Sequence, residues 1–244
     1  MDENFLKRRQ FLKAVASTAV VAGIGGKKIL SISEAISTNS TQPHADDKAM
    51  PFSDLIGSLS GLSAAQMRLH LSFYRHCCDL LGNIMTVAPN IDLASSDCIS
   101  SPWRNHQISL LDCHNKVMLH RLYFSGLGPS GGSPSGVIKK QLITDFGSVD
   151  QWWIEFKATA MSVRGWAVLG WDVYSNRLMN MGFDEDSQFP VMFHPILIVD
   201  VHEHAYEIDF PGDRLSYLDS WYKNILWQVV KRRYAAICIK EGKE

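Results

Sequence analysis

A carboxylate and an imidazole stand four residues apart directly after an apolar run, and this pair is the clearest sign of chemistry in the sequence. Asp200 and His204 follow the run 196–199, Ile-Leu-Ile-Val, which is typical of a buried strand. A buried carboxylate is costly unless it is paired or binds a metal. Both side chains can reach one ion if the chain turns helical after the strand. The spacing therefore indicates part of a metal site.

Two further histidines lie on amphipathic segments upstream. Ser63 begins a capping box with Gln66, which predicts a helix that places His70 on an apolar face together with Tyr74, Cys77 and Leu81. A second helix is predicted from about Asp112 to Ser125, with Val117, His120 and Phe124 on a shared face. An antiparallel hairpin of the two helices would bring His70 and His120 together.

Three imidazoles and one carboxylate form a mixed nitrogen and oxygen set, which suits iron or manganese better than a thiolate-rich set would. A single histidine on an apolar helix face is more often a packed core residue than a ligand, and a single aspartate after a strand often caps the next helix. The ordered set of two helical histidines, a Gly-, Ser- and Pro-rich boundary at 126–136 and then D-x-x-x-H favours a metal site. We expect one ion per subunit, with a further position left for water or a small substrate.

The second half of the chain predicts a different pattern of elements. Helical patterns at 136–145 and 149–164 precede three predicted strands, Trp166–Tyr174, Arg177–Met181 and His194–Val201, with a turn at Ser175-Asn176. Helical patterns then run from Arg214 to about Tyr234. We therefore predict an α+β fold: an N-terminal antiparallel helical hairpin domain, then a C-terminal domain with a three-stranded antiparallel sheet flanked by helices.

The segment from about residue 60 to 235 resembles the iron/manganese superoxide dismutases. The family's last two ligands lie in a D-V-W-E-H-A-Y motif, which reads D-V-H-E-H-A-Y at 200–206 here. The family's second ligand opens an H-x-x-[YF]-[WF] segment, matched at 120–124, and Phe146-Gly147-Ser148 and Gly165-Trp166 match further family positions. The resemblance implies that His70, His120, Asp200 and His204 hold Fe or Mn, and that the protein converts superoxide to O₂ and hydrogen peroxide.

The resemblance also implies roles for residues around the ligands. In the family, the glutamate of the motif, here Glu203, reaches across a two-fold interface to the partner subunit's His204, so a homodimer is expected. A surface carboxylate is the alternative for Glu203. We expect Tyr206 and Trp166 to lie at this interface or around the ligands.

Several positions depart from the family pattern. The family's gateway tyrosine is replaced by Cys78 and its partner histidine by Tyr74, and these two are the expected catalytic gateway residues here. Lys116 stands where the family's iron enzymes carry an active-site glutamine, and the region 184–186, which matches the place used by the manganese enzymes, has none. Gln188 is a candidate substitute, and the choice between Fe and Mn stays open. His202 replaces the motif's tryptophan, which indicates altered outer packing or an extra titratable ring near the ion.

The N-terminus resembles a twin-arginine export signal. Lys7-Arg8-Arg9 and Phe11-Leu12-Lys13 precede a weakly apolar run of 13 residues, 14–26, which is too short to span a bilayer. Ser33 and Ala35 offer small residues for cleavage. We expect a periplasmic or otherwise exported protein without membrane contact after cleavage; a basic helix or an uncleaved anchor is the alternative.

Composition sets the remaining bounds. The 244 residues are 46% hydrophobic and 20% charged, which suits a globular core, and a net charge of −1 gives no basic excess for nucleic acid. We predict a signal peptide at 1–35, a disordered linker at 36–54, the hairpin domain at 55–130 and the metal-binding α/β domain at 131–244. The five cysteines leave a disulfide open in an oxidising compartment.

Three functions remain open from the sequence. The first is an exported superoxide dismutase. The second is a metal-binding protein of the same fold with altered or lost dismutase activity, which the changed gateway favours. The third is a metal-free interaction or structural protein, which the intact ligand positions disfavour.

Overall fold

The described part of the chain begins just before the predicted hairpin. A computed structural model describes residues 51–96 and 98–240. Contacts group residues 43–244 into one compact unit, while the other unit, 1–42, lies outside the described residues, as do the predicted signal at 1–35 and most of the predicted linker. The last linker residues are described: Ser53–Leu55 form a 3₁₀ turn, and the Phe52 ring packs on Phe124 at 5.4 Å. Ordered structure therefore begins before Leu55.

Two long helices form the N-terminal part. Helix α1 spans Ala64–Val87, and the Ser63 hydroxyl accepts a hydrogen bond from the Gln66 backbone N–H at 3.1 Å, as the capping box predicts. Helix α2 spans Pro102–Ser125. The Arg121 Nε donates to the Tyr74 hydroxyl at 3.2 Å, while the ring of His70 lies 4.8 Å from that of Phe124. The residues nearest each other rise along α1 and fall along α2, so the predicted antiparallel hairpin is confirmed.

The predicted start of α2 near Asp112 is wrong. The helix begins ten residues earlier, at Pro102, and the Ser101 hydroxyl caps it by accepting from the Arg104 N–H at 3.2 Å. Ser followed by Pro is a strong helix start, because proline fixes the first φ and lacks an N–H that the helix could not satisfy there. Apolar periodicity is weak in this exposed first half of α2. The connection from α1 contains two 3₁₀ turns, Ala88–Asn90 and Leu93–Ser95.

The C-terminal part is built on three antiparallel strands. Strands β1 (Trp166–Asp172), β2 (Arg177–Phe183) and β3 (Phe193–Asp200) lie in the order β2-β1-β3. Asn176 has a φ of 58° in the turn between β1 and β2, which asparagine tolerates. The register of the pairing between β1 and β3 shifts between Leu169 and Gly170. A Cβ added at Gly170 would lie 2.4 Å from the Phe193 ring, so glycine allows the close approach there. Strand β1 is therefore the central strand of the sheet, and β3, which pairs with it at one edge, ends at Asp200.

Along the chain, two helices precede the sheet and two follow it. Helices α3 (Gly136–Phe146) and α4 (Val149–Ser162) precede it, and α5 (Arg214–Lys223) and α6 (Trp227–Lys240) follow it. The break between α5 and α6 lies at Asn224, whose amide binds the backbone of Ser60 and Ser220. The predicted α+β fold with a three-stranded antiparallel sheet is confirmed. No helix within the described ranges is long and apolar enough to cross a membrane.

Candidate metal centre

Four side chains from four separate elements converge between the hairpin and the sheet. Helices α1 and α2 supply His70 and His120, and Asp200 ends β3. His204 lies in the 3₁₀ turn Glu203–Ala205 that follows, so the chain does turn helical after the strand. One ligand atom from each of the four lies within 4.8 Å of every other. His70, His120 and Asp200 are buried, and the side chain of His204 is 23% exposed.

The three imidazoles present the same atom to one carboxylate oxygen. Asp200 Oδ2 lies 3.0 Å from His70 Nε2, 3.4 Å from His120 Nε2 and 3.2 Å from His204 Nε2. Ligand atoms bonded to one ion at about 2.1 Å are separated by about 3.0 Å at right angles and about 3.4 Å at the tetrahedral angle. The spacing of these four atoms therefore fits a shared cation.

The environment of His120 favours a cation beside its Nε2 atom. Its Nδ1 lies 2.7 Å from the Lys116 carbonyl oxygen, which can only accept, so Nδ1 carries the proton. Burial lowers the pKa of His120 to about 3, which keeps the ring neutral at neutral pH. Nε2 then presents a lone pair, is buried, and makes no hydrogen bond. The lone pair of His120 Nε2 faces a lone pair of Asp200 Oδ2 at 3.4 Å, and the two repel each other. A cation between these atoms would replace the repulsion with two bonds.

The protonation states suit metal binding. Burial also lowers the pKa of His70, against the opposing effect of Asp200. Burial alone would raise the pKa of the Asp200 carboxyl, but its side-chain hydrogen bonds, first among them the one from His202, outweigh burial and hold that pKa well below its usual range. Neutral imidazoles and an ionised carboxylate are the forms that bind a metal. The site therefore fits the iron or manganese ion that the sequence predicts.

Two residues hold the backbone and the second oxygen of Asp200. The Tyr217 hydroxyl donates to the Asp200 carbonyl oxygen at 2.7 Å and lies 3.2 Å from the Tyr123 hydroxyl, which must therefore donate to it. His202 binds Asp200 Oδ1 through its backbone N–H at 3.0 Å and its Nδ1 at 2.8 Å. The sequence did not predict the role of Tyr217, which is one of many aromatic residues in a helical pattern. For His202 it left altered outer packing and an extra titratable ring near the ion open, and the ring lies against Asp200.

The predicted gateway residues lie on α1 and are buried. The ring of Tyr74 lies nearly parallel to that of His120, with centroids 6.1 Å apart, and its hydroxyl accepts from Arg121. Cys78 follows one turn later and belongs to the core. Tyr74 thus stands beside the ligands.

Trp166 and a partly buried ion pair support the ring of His120. The edge of Trp166 meets the His120 ring with centroids 5.0 Å apart, and its Nε1 donates to Asp186 Oδ1 at 2.9 Å. Asp186 Oδ2 lies 3.5 Å from Lys116 Nζ, and Lys116 is also the residue whose carbonyl binds His120. Asp186 is 4% exposed. Asp186 and Lys116 therefore occupy the region where the resemblance implies an amide side chain.

Gln188 does not take that place. Its side-chain oxygen accepts from the backbone N–H groups of Asp184 and Glu185, at 3.0 and 3.2 Å, and closes its own turn. It acts as the second half of a capping box with Glu185. The expected substitute amide is therefore used for local structure, and Asp186 faces Trp166 instead.

The ring of Phe73 contacts His204, which the sequence did not predict. Its ring stacks on that of His204, with centroids 4.2 Å apart, and lies 5.6 Å from that of His120. Phe124 packs against His70 from the opposite helix. Phe73 lies three residues after His70 and four before Cys77, so helical spacing places it beside the face that carries His70. The contact with His204 follows from tertiary packing, which that spacing alone does not show.

Glu203 and Tyr206 lie on either side of His204 but differ in burial. Glu203 is exposed. Tyr206 is buried, accepts a hydrogen bond from Arg214 Nε at 3.3 Å, and stacks on Tyr217 with centroids 5.1 Å apart. Tyr206 therefore supports Asp200 through Tyr217, whereas the Glu203 carboxylate faces outward.

The five cysteines are thiols within the described part of the chain, so no disulfide joins them there. Burial raises the pKa of the Cys77 thiol from its usual 9.0 to about 12. Cys98 is exposed. The cysteines take no part in the cluster of candidate ligands.

The fold and the site together define a class of protein: a helical hairpin and a three-stranded sheet that share one mononuclear, histidine-rich metal site. Residues 134–233 match the family model for the C-terminal domain of iron/manganese superoxide dismutases. That region contains Asp200 and His204, and the two other candidate ligands lie upstream of it.

Individual relatives agree with this match. The chain is 42% identical over 120 residues to an iron superoxide dismutase of Aquifex pyrophilus, which covers 48% of this chain and 56% of the relative. It is 37% identical over 119 residues to a manganese superoxide dismutase of Halobacterium salinarum, covering 48% and 60%, and 34% identical over 125 residues to an iron superoxide dismutase of Cupriavidus metallidurans, covering 50% and 63%. The matched region thus spans somewhat more than half of each relative, and its similarity is to superoxide dismutases of both metals.

Proposed function

We propose that this protein is a superoxide dismutase with one iron or manganese ion per chain, held by His70, His120, Asp200 and His204. The observation that carries the proposal is the approach of three imidazole Nε2 atoms to one Asp200 oxygen at 3.0–3.4 Å. The similarity of residues 134–233 to the family's C-terminal domain supports the same reaction. The bound ion would supply the one-electron exchange that oxidises one superoxide to O₂ and reduces a second to hydrogen peroxide.

The charge of the ligand set suits an anionic substrate. Three neutral imidazoles and one carboxylate contribute a charge of −1, so a site that holds a divalent or trivalent ion stays positive. Burial of Asp200 and His120 keeps solvent screening low and strengthens the attraction to superoxide. The residues of the chain thus hold the ion without cancelling its charge.

Aromatic rings shape the space around the ligands. Phe73, Phe124 and Trp166 contact His204, His70 and His120 respectively. Rings packed on three sides fix the imidazole planes and exclude bulk water from those faces.

A metal-binding relative without dismutase activity is the second candidate. The observation that favours it is the charged pair Asp186–Lys116 beside Trp166, together with a thiol at Cys78. A charged pair near the ion shifts its reduction potential, and dismutation needs a potential between those of the two half-reactions. A superoxide consumption assay on metal-replete protein separates the two functions: activity far above that of the free metal ion supports the first, and activity equal to it supports the second.

We also propose a homodimer in which Glu203 reaches the partner subunit's His204. Glu203 is exposed, lies next to His204 in the chain, and has a carboxylate that could accept from an imidazole N–H. Equilibrium sedimentation of the full chain tests this arrangement.

Export by the twin-arginine route is a proposal that rests on the sequence of residues 1–35. Replacing both Arg8 and Arg9 with lysine should retain the full chain inside the cell, because twin-arginine export depends on that pair. A paired Lys27→Arg and Lys28→Arg variant keeps the charge and serves as the control. Unchanged export of the Arg8→Lys, Arg9→Lys variant would contradict the proposal.

A further inference from the structure

The two oxygens of the Asp200 carboxylate have separate tasks. Oδ2 faces the three Nε2 atoms at 3.0, 3.4 and 3.2 Å. Oδ1 accepts two hydrogen bonds, from the backbone N–H of His202 at 3.0 Å and from its Nδ1 at 2.8 Å. Both contacts to Oδ1 therefore come from one residue, two positions along the chain.

The His202 ring is held in place from two directions. It lies nearly parallel to the His204 ring, with centroids 5.2 Å apart, and meets the Trp166 ring edge-on at 5.7 Å. Its side chain is 28% exposed, whereas that of Asp200 is fully buried. A ring fixed between two others loses little further freedom when it forms the hydrogen bond, so its Nδ1–H is already directed at Oδ1.

The type of residue at 202 decides whether this bond exists. Imidazole carries Nδ1 directly on Cγ, which is the atom that reaches Oδ1 here. An indole has carbon at that position and its only N–H one atom further away, at Nε1, so tryptophan could not make this contact in the same orientation. Asparagine carries an N–H donor on Cγ as well, whereas phenylalanine offers a ring without a donor.

We propose that His202 is a positioning residue for the metal site, because its Nδ1–H holds Asp200 Oδ1 and so directs Oδ2 at the ion. The inference rests on the proposed metal site, although not on dismutation. Groups that orient a metal ligand typically contribute about 10- to 100-fold to metal retention. The hydrogen bond also withdraws electron density from the carboxylate, so its loss should lower the reduction potential of the ion.

Two variants separate the hydrogen bond from the packing of the ring. His202→Phe keeps an aromatic ring between His204 and Trp166 but removes the donor, and His202→Asn keeps the donor but removes the ring. The full chain loaded with Mn²⁺ is mixed with excess EDTA, and the rate of Mn²⁺ transfer is measured. His194→Phe, at an exposed histidine on β3, is the control for the substitution itself.

We expect His202→Phe to release Mn²⁺ about 10- to 100-fold faster than the wild type, and His202→Asn to stay within about threefold. The midpoint potential should fall in the Phe variant and stay close to the wild type in the Asn variant. Circular dichroism tests whether both variants fold. If His202→Phe does not fold, His202→Asn alone decides, and rapid Mn²⁺ release from His202→Asn overturns the inference.

Mn²⁺ release at the wild-type rate from both variants would overturn the inference. Release that is equally fast from both and faster than from the wild type would also overturn it, because the hydrogen-bond donor kept in His202→Asn would then make no difference. A wild-type chain that binds no Mn²⁺ or Fe²⁺ would overturn the proposed function as well. A wild-type chain that binds metal but shows no effect in the Phe variant would overturn only the role of His202.

Discussion

His120 Nε2 faces Asp200 Oδ2 at 3.4 Å while the other nitrogen of the His120 ring donates to the Lys116 carbonyl. The carbonyl fixes the tautomer, and burial keeps the ring neutral. Two lone pairs are thereby brought together inside the protein, where repulsion is poorly screened. A cation between these two atoms would replace the repulsion with two bonds, which links the packing of α2 against β3 to metal binding.

Replacing His120 should abolish metal binding without unfolding the hairpin. His120→Ala removes one of four ligands, whereas the rest of the α1–α2 contact, such as Tyr74 with Phe124, remains. We expect the metal content to fall from one ion per chain to nearly none, with most of the helical signal retained. Elemental analysis and circular dichroism measure both.

The matched control for that variant is His114→Ala, at an exposed histidine six residues earlier on the same helix. It should bind metal as the wild type does. Unchanged metal content in His120→Ala would remove His120 from the site.

Removing the Asp186 carboxylate should destabilise the protein more than removing its neighbour does. Asp186→Ala leaves the buried Trp166 Nε1 without an acceptor and Lys116 without its buried partner, which costs about 1–3 kcal/mol. Asp184→Ala, in the same turn, removes an exposed pair with Arg164 and should cost at most about 1 kcal/mol. Urea unfolding of the two variants measures the loss in the free energy of unfolding. Equal losses would show that the Asp186 contacts stabilise the protein no more than the exposed Asp184 pair does.

The cysteines should differ sharply in reactivity with pH. The pKa of Cys77 is raised to about 12 by burial, so its thiolate is scarce at pH 8 and becomes abundant only as the pH approaches 12. Because the folded pKa lies above the usual 9.0, any stability linked to the Cys77 thiol is full below pH 9 and falls as the pH rises towards 12.

Iodoacetamide at pH 8 should therefore modify the exposed Cys98 rapidly and leave Cys77 intact until urea is added. Mass spectrometry of proteolytic fragments follows each site. Rapid modification of Cys77 in the native protein would show that its part of α1 opens readily.

Loss of the Glu203 carboxylate should weaken the proposed dimer. Glu203→Ala removes the acceptor for the partner subunit's His204, so we expect more monomer at equal concentration and faster metal release. Asp150→Ala, which removes another exposed carboxylate on α4, is the control. An unaltered sedimentation profile for Glu203→Ala would refute the contact across the interface.

Local patterns in the sequence predicted the elements that carry the ligands. The Ser63 capping box placed the start of α1, and the apolar face of that helix contained His70. The apolar run before Asp200 predicted β3, and the four-residue spacing to His204 predicted the turn that follows. These features succeed because hydrogen bonds near in sequence and side-chain periodicity determine them.

The contacts around the ligands depend on residues far apart in the chain, so the sequence did not predict them. Asp186 reaches Trp166 across 20 residues, and nothing in its surrounding acidic segment distinguishes it from Asp184. The stacking of Phe73 on His204 depends on how α1 lies against the turn after β3. Such contacts follow from tertiary packing, which local propensity does not encode.

The most direct test of the metal site is an anomalous-difference map from crystals of the full chain loaded with manganese, recorded on both sides of the manganese absorption edge. The account predicts a single strong peak per chain, about 2.0–2.2 Å from Nε2 of His70, His120 and His204 and from Oδ2 of Asp200. A manganese-replete crystal with no peak among these four atoms, or with its peak at other residues, would contradict it.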